Sequence, residues 1–188
     1  MNKLKLTPAE RSWVLYDVGN SAFTLLIATI IPIYFNFLAE EAGLSNVQYL
    51  AYWGYAASAA TLLVAVLGPV FGTLADTQGY KKPIFLLFLG VGLIGCIALG
   101  FAAHWLWFLL IFVVARVGYS GSLIFYDSML SDITDADRMD HVSSQGYAWG
   151  YIGSCVPFIA SLAVVLFSGL PMQTGMGIAF FINGAWWL

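Results

Sequence analysis

The sequence predicts an all-α polytopic membrane protein, a bundle of about six spans, and three observations carry that expectation. Of the 188 residues 61% are hydrophobic and 9% are charged, whereas soluble domains carry about a quarter charged residues. The apolar stretches are long and continuous, not alternating over about ten residues, which argues against a transmembrane β-barrel. At roughly 20 to 25 residues per crossing, the length suits about six helices with connections between them.

The first span opens at Thr7-Pro8-Ala9-Glu10, where Thr7 caps, Pro8 suits the first helical position and Glu10 reaches back in a capping box. The span is expected over residues 12–38. Its apolar run is too long for a signal-peptide core and has no A-x-A-like exit, so it stays in the mature protein. Further spans are expected over residues 49–75, 83–103, 105–131, 142–167 and 172–188. The turns between them are marked by Gly and Pro, as in Ser168-Gly169-Leu170-Pro171. The last span is read as incomplete, because it reaches Trp186-Trp187-Leu188 without a polar flank. Cys96 and Cys155 fall inside spans, where a thiol packs as a small apolar group. The chain is therefore no disulfide scaffold.

Orientation follows from the basic residues. Lys3, Lys5 and Arg11 precede the first span, Lys81 and Lys82 lie between the second and third, and Arg138 lies between the fourth and fifth. All fall on one side, so the positive-inside rule places the N-terminus in the cytoplasm. Trp13, Trp105 and Trp107 sit where interfacial aromatic belts are expected.

Gly68-x-x-x-Gly72 and Gly146-x-x-x-Gly150 place small residues one turn apart, a spacing that lets helix backbones approach within a bundle. Pro32, Pro69 and Pro157 lie inside spans and are expected to bend them. Bent, Gly-rich helices suit a protein that rocks between states.

An ionisable group deep in lipid costs several kilocalories per mole, so it must face protein or water. In the first span Asp17, Asn20 and Thr24 form a polar stripe at helical spacing. In the fourth, Arg116, Ser120, Leu123 and Asp127 share a face, and Arg116 falls about 16 Å from the outer boundary, near the midplane. Two readings stay open. Arg116 pairs with Asp17 or Asp127 to hold helices together, or it faces a solvated cavity, binding an anionic group or coupling to a proton site at Asp17 or Asp127.

Other chemistries lack their residues. There is no Walker-type phosphate loop, and His104 and His141 stand apart, so no metal or other cofactor is expected. Asp132, Asp135, Asp137 and Asp140 surround Arg138 and read as a solvated acidic loop. A net charge of −3 gives no footprint for nucleic acid.

Gly72-Thr73-Leu74-Ala75-Asp76-Thr77-Gln78-Gly79-Tyr80-Lys81-Lys82 closes the second span and opens the third. Gly72 is expected to permit close helix approach, Asp76 to accept donors, Gly79 to supply the turn, and Lys81 and Lys82 to meet the cytoplasm. This stretch resembles the cytoplasmic gate motif G-x-L-x-D-x-x-G-[RK]-[RK] of the major facilitator superfamily, with Thr77 and Tyr80 as departures. Trp13-Val14-Leu15-Tyr16-Asp17-Val18-Gly19-Asn20-Ser21-Ala22-Phe23 is similar to the W-x-L-Y-D-W-A-N-S-A-[YF] opening of the unknown major facilitator family, which is related to fungal vacuolar amino-acid effluxers. Phe125-Tyr126-Asp127-Ser128-Met129-Leu130-Ser131-Asp132-Ile133 resembles that family's F-Y-N-x-x-L-P-D-I, with Asp127 for Asn and Ser131 for Pro. Gly146 to Gly153 resembles its fifth helix.

The resemblance implies the N-terminal half of a twelve-helix carrier in the bacterial inner membrane, working by alternating access. It would move a small organic solute, with amino acids the first class to consider, and the Asp17 and Asp127 carboxylates read above are the candidate sites for coupling to protons. The partners implied are the bilayer, the solute, and a C-terminal six-helix half. A second copy of the chain in a half-size homodimer and a non-transporting fragment are the alternatives. A membrane enzyme is disfavoured: Ala115-Arg116 lacks the Asp-Gly pair and the further acids of a lipid head-group transferase.

Overall fold

The computed structural model describes residues 5–75, 77 and 79–188, so Lys3 of the orientation argument and Asp76 of the gate motif lie outside the described residues. The described residues form seven helices: α1 Pro8–Ala28, α2 Ile30–Glu41, α3 Asn46–Ala75, α4 Lys81–Leu99, α5 Trp105–Ile133, α6 Ala136–Phe167 and α7 Met172–Trp187. Five segments are long and apolar enough to cross a membrane, α1 with α2 counting as one; α7, at 16 residues, is shorter.

α1 begins with the capping box expected from sequence. The Thr7 hydroxyl accepts from the Glu10 amide at 3.2 Å, and the Glu10 carboxylate accepts from the Thr7 amide at 2.7 Å. The first span, expected to be continuous, is broken at Thr29, where ψ is −74° and φ −134°. Pro32 explains the position of the break. It has no amide hydrogen to give Ala28, and its ring crowds that carbonyl. The Thr29 amide turns to Leu26 at 3.2 Å, a tighter i−3 bond. By contrast α3 and α6 run through Pro69 and Pro157 as continuous helices.

α6 starts at Ala136, six residues before the expected span, so of the acids around Arg138 Asp137 and Asp140 lie in its first turns and Asp132 in the last turn of α5, and the stretch is not a loop. Among the described residues its acids do not converge in a group able to hold a metal. Gly79 has φ +90° and makes the turn into α4. His104 caps α5, its Nδ1 accepting from the Leu106 amide at 3.2 Å.

α1 packs against α6 and α7, α4 against α5 and α7, and α3 lies along α5. Small residues set these distances. A Cβ on Gly118 would meet the Gly92 nitrogen at 2.3 Å, so α4 and α5 touch backbone to backbone there. On α6 a Cβ at Gly146 would meet the Trp13 ring at 2.8 Å, and one at Gly150 the Ser21 hydroxyl at 2.8 Å. Gly146-x-x-x-Gly150 is thus a seat for α1 within the bundle. Gly72 behaves differently: nothing lies within 4 Å of a Cβ built on it, so it mediates no close approach.

The core gathers Phe23, Tyr34 and Phe35 from the first span, Phe108 and Phe112 from α5, and Met176 and Phe180 from α7. In lipid such packing gains dispersion contacts and not release from water. Outward, α3 presents Val47, Leu50, Leu62 and Val66, the apolar surface expected of a lipid-facing helix. Cys96 is buried in the core, while Cys155 is exposed on α6.

Candidate functional site

A cavity of about 450 Å³ opens between α1, α5 and α6. α1 contributes Trp13, Asp17, Asn20 and Thr24, which recur every three or four residues because a helix returns to the same face at that spacing, with Ser21 beside Asn20. α5 contributes Tyr119, Leu123, Tyr126 and Asp127, and α6 adds Ser143, Tyr147, Tyr151 and Ser154. Its polar groups concentrate where the surrounding helices are otherwise apolar.

Two contacts clamp its α1 and α5 walls together. Trp13 and Tyr126 stack with ring centroids 4.3 Å apart and bond reciprocally: the indole N–H donates to the Tyr126 carbonyl at 3.0 Å, and the Tyr126 hydroxyl donates to the Trp13 carbonyl at 3.1 Å. Trp13 is therefore a buried bridge between helices and not the interfacial anchor expected from sequence. About three turns further along α1 and two turns back along α5, Thr24 and Tyr119 share a hydrogen bond of 2.6 Å.

Asp17 reaches toward α6. Its Oδ2 is 3.1 and 3.2 Å from where Cβ atoms on Gly146 and Gly150 would stand, so the bare backbone of α6 makes room for the carboxylate. One protein donor meets it, the Asn20 side-chain amide at 3.3 Å. Asp127 is exposed at the cavity, with no hydrogen bond among the described residues.

Of the sequence-derived pathway residues, Asp17, Asn20, Thr24 and Asp127 come together on this cavity, whereas Arg116 and Ser120 do not line it. Arg116 shares the helix face but stands one turn, about 4.5 Å, before Tyr119 on α5, past the Thr24–Tyr119 bond. It is half-buried and, among the described residues, forms no ion pair or hydrogen bond, which removes the expected pairing with Asp17 or Asp127.

At the other end, Lys81 meets Asp132 at 2.6 Å, tying the start of α4 to the end of α5, while Lys82 is exposed. Arg138 meets Glu10 at 2.7 Å, and Glu10 also accepts from the Thr134 hydroxyl at 2.6 Å. Together these bonds fasten the α1 N-terminus to the α5–α6 junction.

Residues 8–188 match the profile of a family described as vacuole effluxer Atg22 like. The chain belongs to this family. One relative of this Atg22-like chain is the Bacillus subtilis (strain 168) protein named Uncharacterized MFS-type transporter YxiO, 41% identical over 191 residues. The alignment covers 97% of the chain and 45% of the relative, so the chain spans less than half the length of the protein it resembles. No solved structure matches it. Membership in the Atg22-like family, with the apolar helices, makes this a multi-pass integral membrane protein of the major facilitator type, and the all-helical fold is that of an N-terminal half.

The α6 wall was the part of the site that sequence reasoning missed. Ser143, Tyr147, Tyr151 and Ser154 recur at steps of four, four and three, and that spacing was the available signal.

Proposed function

We propose that the chain forms the N-terminal half of a secondary transporter, and that the cavity between α1, α5 and α6 is its part of a pathway for a small organic solute. The observation that carries this reading is the cavity itself: two acids, an amide, four Ser and Thr hydroxyls of α1 and α6 and several aromatic rings line about 450 Å³ within an apolar bundle. Ionisable groups placed among membrane spans mark substrate and ion routes. The family supports the reading, since its description is that of an effluxer and the Bacillus relative is named as a transporter. A second set of helices, in the length by which that relative exceeds this chain, would close the cavity and rock against it. The plasma membrane of a bacterium, with the N-terminus in the cytoplasm, fits the placement of Lys5, Arg11, Lys81 and Arg138.

Amino acids are the first solutes to assay, on the resemblance to vacuolar effluxers. Coupling to protons would run through the titratable wall groups: Asp17 from α1, Tyr119, Tyr126 and Asp127 from α5, and Tyr147 and Tyr151 from α6. The test is solute flux by the intact protein in proteoliposomes. Asp17→Asn is expected to lower the rate at least ten-fold with the protein still folded, and Asp127→Asn to change the response of flux to pH. Unchanged flux in both variants would remove the cavity from the pathway.

A further inference from the structure

We infer that the cavity receives the protonated amine of its solute, held between Asp17 and Asp127 and faced by the rings of Tyr147 and Tyr151. This rests on the cavity being the solute pathway, and it adds the sign and chemistry of the group bound there.

The charge around the cavity is one-sided. Among the described residues its lining includes two carboxylates and no Lys, Arg or His. The nearest intramembrane base in sequence, Arg116, lies beyond the Thr24–Tyr119 bond and outside the lining. A carboxylate or phosphate entering here would meet like charge, with no cation on these three walls to offset its lost hydration, and an unpaired buried charge is costly. The acids themselves call for a cation: Asp17 has a single protein donor, at 3.3 Å, and Asp127 has none among the described residues.

The walls distinguish an organic cation from a metal ion. Calcium takes six to eight oxygen ligands, and magnesium a near-ideal octahedron in which it keeps several waters. Among the described residues no three acidic, His or Cys side chains converge. An ammonium group needs less: a carboxylate or two, and aromatic faces within about 6 Å of the charge. Trp13 and Tyr126 spend a face on each other. Tyr147 and Tyr151, one turn apart on α6 and 64% and 67% exposed, keep their rings open toward entering solute.

The Gly146 and Gly150 backbone adds a size argument. Because these positions lack Cβ, the Asp17 carboxylate fits against the α6 backbone. Gly150→Ala would press on both Asp17 and the Ser21 hydroxyl, 2.8 Å from the new methyl.

The test measures calorimetric binding to the intact protein in lipid nanodiscs with matched probes: propylamine against propionate, and phenethylamine against phenylacetate, with phenylalanine carrying both groups. The amines are expected to bind at least ten-fold more tightly than the acids of the same skeleton. If phenylalanine binds like phenethylamine, the amine is the shared handle of a zwitterionic solute; if it binds ten-fold less well, the solute is a plain organic cation. Either result supports amine recognition. Asp17→Asn and Asp127→Asn should each weaken amine binding about ten-fold or more. Tyr147→Leu, which keeps apolar bulk on an exposed face and leaves the fold intact, should weaken it several-fold.

Acids binding as well as amines, magnesium or sodium displacing the amine at equal concentration, or no probe binding at millimolar levels would each overturn the inference. Flux in proteoliposomes separates this from the transport reading. Transport of an anion would leave the pathway standing and sink the amine, whereas amine binding without flux of any solute would do the reverse.

Discussion

Glu10 is 1% exposed and carries a full set of donors: the Thr7 amide, the Thr134 hydroxyl, and Nε and Nη2 of Arg138. Lys81 and Asp132 make an equally short pair, but their side chains are 27% and 53% exposed. The two pairs should therefore respond differently to loss of the base. Arg138→Ala strands a carboxylate that the fold covers and is expected to lower stability clearly more than loss of Lys81 does. Lys81→Ala, at a solvated and entropically costly pair, should cost less than about 1 kcal/mol. Denaturant unfolding in mild detergent checks the contrast, and equal losses would refute it. The half of this site that the sequence displayed is local. Thr7 and Glu10 are three positions apart, so their capping box can be read from spacing, whereas the Glu10–Arg138 bond joins residues 128 apart. Trp13 was misread for the same reason: its partner, Tyr126, is 113 residues away.

Between elements, helix spacing turns on which glycines face a neighbour. A methyl at Gly118 would fall 2.3 Å from the Gly92 nitrogen, and backbone cannot swing aside as a side chain can. Gly118→Ala is expected to separate α4 from α5 and to cost about 1–3 kcal/mol as overpacking. Gly72→Ala should be neutral or stabilising by about 0.5–1 kcal/mol, since the site is open and Ala is the better helix former. Comparison of unfolding midpoints tests both, and a larger loss at Gly72 would contradict the packing described. The helices were legible because apolar runs of this length admit little else in lipid. Their pairing was not, since glycine at a helix-helix seat and glycine in open lipid look alike in sequence. The break at Thr29 was half-legible: Pro32 announced a bend, and its clash with the Ala28 carbonyl fixed where the bend falls.

For the whole molecule, the sequence displayed the polar stripe of α1 and the acid at Asp127, because such groups stand out against lipid. It could not show which side of Tyr119 the cavity ends on, so Arg116 looked like a pathway residue when only its helix face was known. The third wall emerged from the way α6 lies along α1, with Gly146 and Gly150 as its seat. The central claim is that this three-walled space is wet and travelled by solute. Thiol labelling tests it most directly, in the intact protein with Cys155 replaced by Ser, because Cys96 is buried in the core. Tyr147→Cys and Ser143→Cys would be compared with Val66→Cys on the exposed apolar side of α3. A membrane-impermeant thiol reagent is expected to label the α6 positions at least ten-fold faster than position 66, and a bound solute to slow that labelling. Labelling of the α6 positions no faster than position 66, with or without solute, would contradict it.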